Sequence, residues 1–238
     1  MAKSALLKSS LAKKYWMAFT GLFLCTFLVG HLLGNLQLLL PVSESARDQF
    51  NEYGLFMTTN PLVMILSYVT YFSILFHAID GVILTINNRK ARPIGYESYK
   101  PSTNSTWSSR NMGLLGTVIF AFIILHMNAL WAKMKFGGLD HTIYTTESGQ
   151  SVKDLYTLTL QTFQDPDYGL IMSIIYLIAM IAIAFHLVHG FASGFQSLGV
   201  NHPKYNGFIR KLGYVFSILV PLAFAVIPFY IHFVLEKI

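Results

Sequence analysis

The sequence predicts an all-α integral membrane protein, a bundle of five transmembrane helices in one domain spanning residues 1–238. Hydrophobic residues make up 54% of the chain and charged residues only 12%, whereas about 25% charged residues is typical of soluble domains. The mean hydropathy is +0.52. Five apolar segments each approach the ~20 residues that a helix needs to cross a bilayer. They span about 15–40, 61–86, 112–131, 170–194 and 212–235.

The first apolar segment resembles a signal peptide at its start, and the last one contains two prolines. The first follows a basic N-terminus, as in a signal peptide, but its apolar part continues to about Leu40 and no small-residue cleavage motif follows. We therefore expect it to be retained as a span. The fifth contains Pro221 and Pro228, which membrane helices tolerate as kinks.

The distribution of charge predicts the orientation across the membrane. The basic residues fall into three groups: Lys3, Lys8, Lys13 and Lys14; then Arg89, Lys90, Arg92, Lys100 and Arg110; then Lys204, Arg210 and Lys211. The two remaining connections carry acidic residues: Glu44, Asp48 and Glu52 in one, and Asp140, Glu147, Asp154, Asp165 and Asp167 in the other. Because cytoplasmic connections are rich in Lys and Arg, we expect the N-terminus to be cytoplasmic and the C-terminus outside. The net charge of +6 then reflects topology, and no nucleic-acid partner is expected.

The long connection of residues 133–168 carries one local signal. Ser151 to Asp154 resembles a capping box ahead of a short stretch with Leu, Tyr and Phe. This pattern predicts a short helix at the outer surface.

Four of the five segments carry a histidine in their interior: His31, His77, His126 and His186. A polar ring in hydrocarbon needs a partner, so an intramembrane histidine is a functional hypothesis by default. At 1.5 Å per residue, His31 and His126 lie about 24–25 Å from the inner boundary. His77 and His186 lie about 15 Å from it. The four histidines therefore form two pairs of equal depth.

Two imidazoles facing each other at one depth are what a six-coordinate haem iron requires. The sequence therefore predicts two b-type haems, with His31, His77, His126 and His186 as axial ligands. No C-x-x-C-H motif is present, which excludes covalent c-type attachment. The single cysteine, Cys25, excludes an iron–sulfur cluster in this chain. The bland alternative is that such histidines only hydrogen-bond a neighbouring helix.

Further residues are candidates for binding the cofactor. Gly34, Gly81 and Gly190 each follow a ligand candidate by three or four residues, so they share its helix face and would let a flat macrocycle approach. Arg110 is a candidate partner for a haem propionate. His189 lies one turn after His186; on spacing alone either could be the ligand, and depth favours His186. His189 would then contact a propionate, a quinone or another helix, whereas His141, His202 and His232 receive no ligand role.

These residues and several motifs resemble a known family. The matching stretches are Gly30 to Leu36, Phe76 to Ala78, Arg89 to Arg92, Ser105 to Arg110, Phe185 to Gly190, Phe195 to Gly199 and Asn201 to Tyr205. Together they are similar to the cytochrome b558 membrane subunit of succinate:quinone oxidoreductases (succinate dehydrogenases and fumarate reductases), in its single-chain, five-helix, di-haem bacterial form.

The resemblance implies a function and partners. The ligands fall on His31 with His126 at the outer, distal haem and on His77 with His186 at the inner, proximal haem. Glu52 is the nearest match to an acidic residue at the distal quinone site, with Glu44 and Asp48 as rivals. The chain would anchor a flavoprotein subunit with FAD and an iron–sulfur subunit at the bacterial cytoplasmic membrane. It would pass their electrons to membrane quinone, typically menaquinone in di-haem relatives.

Two other functions stay open at this point. A di-haem cytochrome b subunit of a membrane hydrogenase or formate dehydrogenase would also pair histidines across a small bundle. A transporter with a histidine relay is the alternative outside electron transfer, although such proteins usually carry membrane-embedded carboxylates. The only acid inside a predicted span here is Asp80.

Overall fold

The fold is known from a computed structural model that describes residues 9–91, 103–136 and 143–238. Of the described residues, 83% are helical. The helices are α1 (Ser10–Asn35), α2 (Glu44–Thr59), α3 (Pro61–Lys90), α4 (Trp107–Arg110), α5 (Met112–His126), α6 (Lys133–Phe136), α7 (Leu155–Gln164), α8 (Gly169–Ser197) and α9 (Pro203–Phe233). A 3-10 turn (Leu36–Leu39) follows α1, and a π-helix (Met127–Ala132) joins α5 to α6. Of the residues discussed above, Lys3, Lys8, Arg92, Lys100, Asp140 and His141 lie outside the described parts.

Five helical segments are long and apolar enough to cross a membrane, which confirms the predicted number of spans. They are Leu11–Leu39, Pro61–Lys90, Met112–Phe136, Gly169–Ser197 and Pro203–Phe233. Large apolar side chains on these segments are widely exposed, including Leu62, Phe72 and Ile178, as expected where lipid surrounds the helices. The orientation across the bilayer stays a prediction.

The main boundary error concerns α9, which begins at Pro203 rather than near residue 212. Its first turns carry Lys204 and Arg210, so hydropathy alone starts the segment too late. Proline suits the first helical position, and His202 caps this end because its Nδ1 accepts a hydrogen bond from the Lys204 N–H at 3.2 Å. As expected, the helix continues through Pro221 and Pro228.

The chain divides into two compact units, and each long helical segment contributes to both. The first unit comprises Met1–Phe27, Val69–Ile119 and Ala182–Leu219. Its helices pack through glycines: a Cβ on Gly194 would lie 3.1 Å from Leu22, and one on Gly213 would lie 2.9 Å from Phe191. Small residues of this kind let membrane helices approach closely.

The second unit comprises Leu28–Tyr68, Phe120–Ile181 and Val220–Ile238, and it contains a helix that the sequence analysis missed. Residues 44–59 form α2 rather than an irregular acidic loop. Ser43 caps this helix by accepting a hydrogen bond from the Ala46 N–H at 3.1 Å, and Glu44 lies in its first turn. Both are standard signals for a helix start.

The predicted capping box at Ser151 is wrong, although a short helix does follow it. Ser151 belongs to β2 (Ser151–Lys153), which pairs antiparallel with β1 (Ile143–Thr145). Gly149, at φ +80°, lies in the connecting turn. The helix cap is Asp154, which accepts a hydrogen bond from the Thr157 N–H at 3.1 Å and starts α7.

An ion pair between half-buried Arg47 and buried Asp154 ties α2 to the start of α7. Arg47 on α2 donates from both Nε and Nη2 to Asp154 Oδ2. Asn51, also on α2, donates to Asp154 Oδ1 at 2.9 Å and accepts from the Tyr156 N–H at 2.9 Å. Burial raises the pKa of Asp154, but hydrogen bonds from Arg47, Thr157 and Asn51 outweigh burial and leave the pKa below its ordinary 3.8.

We predict that this pair stabilises the second unit at neutral pH and fails in acid. Because the folded-state pKa of Asp154 is depressed, its contribution is present above the ordinary pKa and is lost as pH falls through the folded value. Asp154→Asn should therefore cost about 1.5–3 kcal/mol at pH 7 and flatten the acid limb of the stability profile. Thermal unfolding in detergent against pH measures this. The exposed Asp167→Asn is the control, and an equal loss in both variants would contradict the assignment.

Candidate functional site

The structure brings His77 and His186 together inside the first unit. His77 comes from α3 and His186 from α8, and their ring centroids are 6.0 Å apart with an interplanar angle of 63°. Of the two neighbouring histidines on α8, His186 is the one whose ring lies against His77. His189 is half-buried and lies about one turn further along the helix.

The second unit holds the other two histidines as a separate pair. His31 on α1 and His126 at the end of α5 have ring centroids 5.8 Å apart and an interplanar angle of 86°. Phe224 lies 5.5 Å from His31 and Phe122 lies 5.7 Å from His126, centroid to centroid. The pair therefore lies in aromatic surroundings from α5 and α9.

Both separations suit one metal ion held between two imidazoles. A metal–imidazole bond is about 2 Å long, and each ring centre lies about 1 Å behind its nitrogen, so two axial rings are about 6 Å apart. Among the described residues, no group of three or more His, Cys, Asp or Glu could hold a metal ion. The donor set at each pair is thus two imidazoles, as in six-coordinate haem iron.

Thr20 on α1 lies beside one ring nitrogen of His77. Its Oγ1 lies 3.2 Å from His77 Nδ1 and 2.7 Å from the Trp16 carbonyl oxygen. When the hydroxyl proton lies in this shorter contact, Oγ1 can accept from Nδ1–H in one tautomer of His77. In that tautomer the lone pair of His77 is on Nε2, the nitrogen left to bind a metal. The Met17 backbone is a second hydrogen-bond partner of this ring.

His126 has an equivalent partner in Tyr176 on α8. Its Nδ1 and the Tyr176 hydroxyl are hydrogen-bonded at 2.9 Å. Tyr176 is only 8% exposed, and Phe122 and Phe163 contact its ring edge to face at 4.8 and 4.9 Å. Metal-ligating histidines usually donate their second N–H to such a partner. The sequence analysis missed both Thr20 and Tyr176, since only the folded bundle brings them to their histidines.

The remaining two histidines differ in their surroundings. Asn35 Nδ2 donates to the His31 carbonyl oxygen at 2.8 Å and lies 3.5 Å from His31 Nδ1. Nδ1 of His186 is buried and has no hydrogen-bond partner among the described residues. A buried polar atom without a partner requires an explanation; a metal bound at Nδ1 itself would supply one, whereas ligation through Nε2 would not. The donor chemistry at both pairs therefore fits haem, while the ligand roles stay a prediction.

A π-helix, Met127–Ala132, begins directly after His126. Its wider turn is rare and occurs often at functional sites. It replaces the regular α-helix at the turn that follows a ligand candidate, a feature that residue patterns do not reveal.

The glycines expected to admit a flat cofactor have different neighbours. A Cβ on Gly34 would lie 2.5 Å from the Tyr53 hydroxyl, one on Gly81 would lie 3.6 Å from Met17, and one on Gly190 would lie 4.0 Å from the ring of His186. A fourth glycine, Gly21, was not expected to matter. A Cβ there would lie 3.0 Å from His77 Cε1, so Gly21 makes room for that ring.

Arg110 ends α4, a short helix in the first unit whose cap is Thr106. The side chain is exposed, and Nη1 donates to the Ser105 carbonyl oxygen. On the same helix, the Trp107 ring lies 5.2 Å from that of Phe185, centroid to centroid. Phe185, which precedes His186 on α8, thus packs against α4.

Glu52 lines a surface depression of the second unit between α2 and the hairpin. The depression is formed by Ser45, Asp48, Gln49, Glu52, Tyr53, Phe56, Glu147 and Ser148. Glu52 accepts a hydrogen bond from Ser148 at 2.6 Å. Asp48 is buried and accepts from the Glu147 N–H at 2.9 Å. Tyr53 connects this depression to α1, because its hydroxyl contacts Gly34, three residues after His31.

Comparison with known proteins adds no relative. No family model matches the chain, and no curated protein or solved structure matches it either.

We predict that Gly21→Ala disturbs the His77 ring. Its added methyl would lie 3.0 Å from the ring, whereas a methyl on Gly30, also in α1, meets nothing within 4 Å. Both changes gain the same helix propensity, so Gly30→Ala is a matched control. Gly21→Ala should be less stable than Gly30→Ala by about 1–3 kcal/mol in thermal unfolding; equal stabilities would show that the ring yields freely.

Proposed function

We propose that this chain is the di-haem cytochrome b membrane anchor of a succinate:quinone oxidoreductase in the bacterial cytoplasmic membrane. The observation that carries the proposal is the arrangement of four intramembrane histidines as two pairs, with ring centroids 6.0 and 5.8 Å apart. The sequence motifs around His31, His77 and His186 support the proposed family.

The histidine pairs have a defined task in this proposal. His77 with His186, and His31 with His126, would each hold one haem b through their ring nitrogens. When bound, the two haems supply one-electron transfer between the iron–sulfur subunit and membrane quinone. The apolar helices around each pair exclude water, and Thr20 and Tyr176 orient two of the four rings.

The chain's composition is consistent with partner subunits for the other steps. It contains one cysteine, too few for an iron–sulfur cluster. Oxidation of succinate would belong to a flavoprotein subunit with FAD, and the clusters to an iron–sulfur subunit. Both would dock at the cytoplasmic face, where the predicted topology places the Lys- and Arg-rich connections.

Quinone, with menaquinone as the expected form, would react at the depression around Glu52. This depression belongs to the same unit as His31 and His126, and Tyr53 connects it to the helix turn after His31. Glu52 would exchange a proton with the quinone oxygen, since its carboxylate lines this depression. Buried Asp48, bonded to the hairpin backbone, has a structural position instead.

We predict that His186 is an axial ligand and His189 is not. His186→Ala should reduce the haem content from two to one per chain, because the His186 ring is the one beside His77. His189→Ala should retain both haems. The pyridine haemochrome assay against protein mass measures this, and loss of haem from His189→Ala instead would reverse the assignment. No haem in the wild-type protein would favour a histidine relay.

We predict that Glu52→Gln slows quinone reduction without removing haem. The amide keeps the shape of the carboxylate but cannot exchange a proton. Quinone-linked succinate oxidation should therefore fall at least tenfold. Succinate oxidation with an artificial acceptor should be unchanged. Glu147→Gln, an exposed acid in the same depression, is the matched control, and unchanged quinone activity in Glu52→Gln would exclude Glu52.

A further inference from the structure

We propose that Thr20 and Tyr176 are positioning residues that tune the two haem irons separately, through Nδ1 of His77 and of His126. This inference rests on the proposed function, because it concerns how this chain's residues act on bound haem. It goes further by assigning two residues outside the ligand set and a direction for the effect of each.

Thr20 is part of a short polarised chain of hydrogen bonds. Its hydroxyl donates to the Trp16 carbonyl oxygen at 2.7 Å, and its oxygen accepts from His77 Nδ1 at 3.2 Å. Thr20 is 5% exposed, so water does not compete with it. Linked hydrogen bonds strengthen one another in a medium of low dielectric constant, which makes this oxygen a good acceptor.

Tyr176 offers His126 an acceptor of a different kind. The phenol oxygen shares its lone pair with the aromatic ring, so it accepts more weakly than an alkyl hydroxyl. The bond to His126 Nδ1 measures 2.9 Å, and Phe122 and Phe163 fix the Tyr176 ring in place. When His126 binds iron through Nε2, its Nδ1–H must donate to this oxygen.

The consequence follows from ligand basicity. An acceptor on the remote N–H makes an imidazole more basic, and a more basic ligand stabilises ferric over ferrous iron. Removing the acceptor should therefore raise the midpoint potential of that haem and leave the other unchanged.

The test is a potentiometric titration of both haems in the purified complex, followed by visible absorption. Thr20→Val and Thr20→Ala should each weaken the preference of the haem at His77 and His186 for ferric iron about tenfold. This corresponds to an upward shift of its midpoint potential by about 59 mV. Thr20→Ser restores the hydroxyl and should return the potential to that of the wild type. Thr26→Val on the same helix is the control, because Thr26 bonds only the Leu22 carbonyl oxygen in the described contacts.

Tyr176→Phe should likewise raise the potential of the other haem, with the exposed Tyr214→Phe as its control. Unshifted potentials in Thr20→Val and Tyr176→Phe, with two haems bound, would overturn this inference and leave the proposed function intact. A shift in both haems from either variant would equally overturn it, since it would mean a global change. A wild-type chain purified without haem would overturn the proposed function, and the inference with it.

Discussion

The pairing of imidazoles inside apolar helices is the constraint on which the rest of this structure depends. A histidine in hydrocarbon is costly unless its nitrogens are satisfied. Here four histidines meet in two pairs, with partners such as Thr20 and Tyr176 on their second nitrogen. One ring nitrogen, His186 Nδ1, is buried without a partner among the described residues. We propose that coordination of haem iron by two imidazoles is the reason why the four histidines meet in these two pairs.

The described parts of the two acidic connections form an ordered module, in which α2, the hairpin and α7 are joined by hydrogen bonds. Arg47 and Asn51 on α2 hold Asp154, which in turn caps α7. This polar cluster fixes the helix that carries Glu52 and Tyr53 relative to the hairpin. Hydrogen bonds thus hold the walls of the depression proposed for quinone, and a supported site is what allows a single carboxylate such as Glu52 to face a reacting oxygen reproducibly.

Features that follow from composition or from residue spacing could be predicted from the sequence. Features that depend on a contact with another helix could not. Long apolar segments identified all five spans, and residue counting placed His77 opposite His186 and His31 opposite His126. Helix α2 was missed because its polar residues resemble a loop, although Ser43 and Glu44 carry a helix-start signal. The cap at Asp154 was assigned to Ser151, since the hairpin that uses Ser151 has only three residues in each strand. Thr20, Gly21 and Tyr176 acquire meaning only when another helix brings a histidine against them.

The central claim is that each histidine pair fills both axial positions of one iron, and EPR spectroscopy of the oxidised, purified protein tests it most directly. The account predicts two distinct low-spin ferric haem signals, because two imidazoles complete six-coordination at each iron. A high-spin ferric signal of stoichiometric intensity would mean that an axial position is open. That result, or a protein with no ferric haem signal at all, would contradict the account.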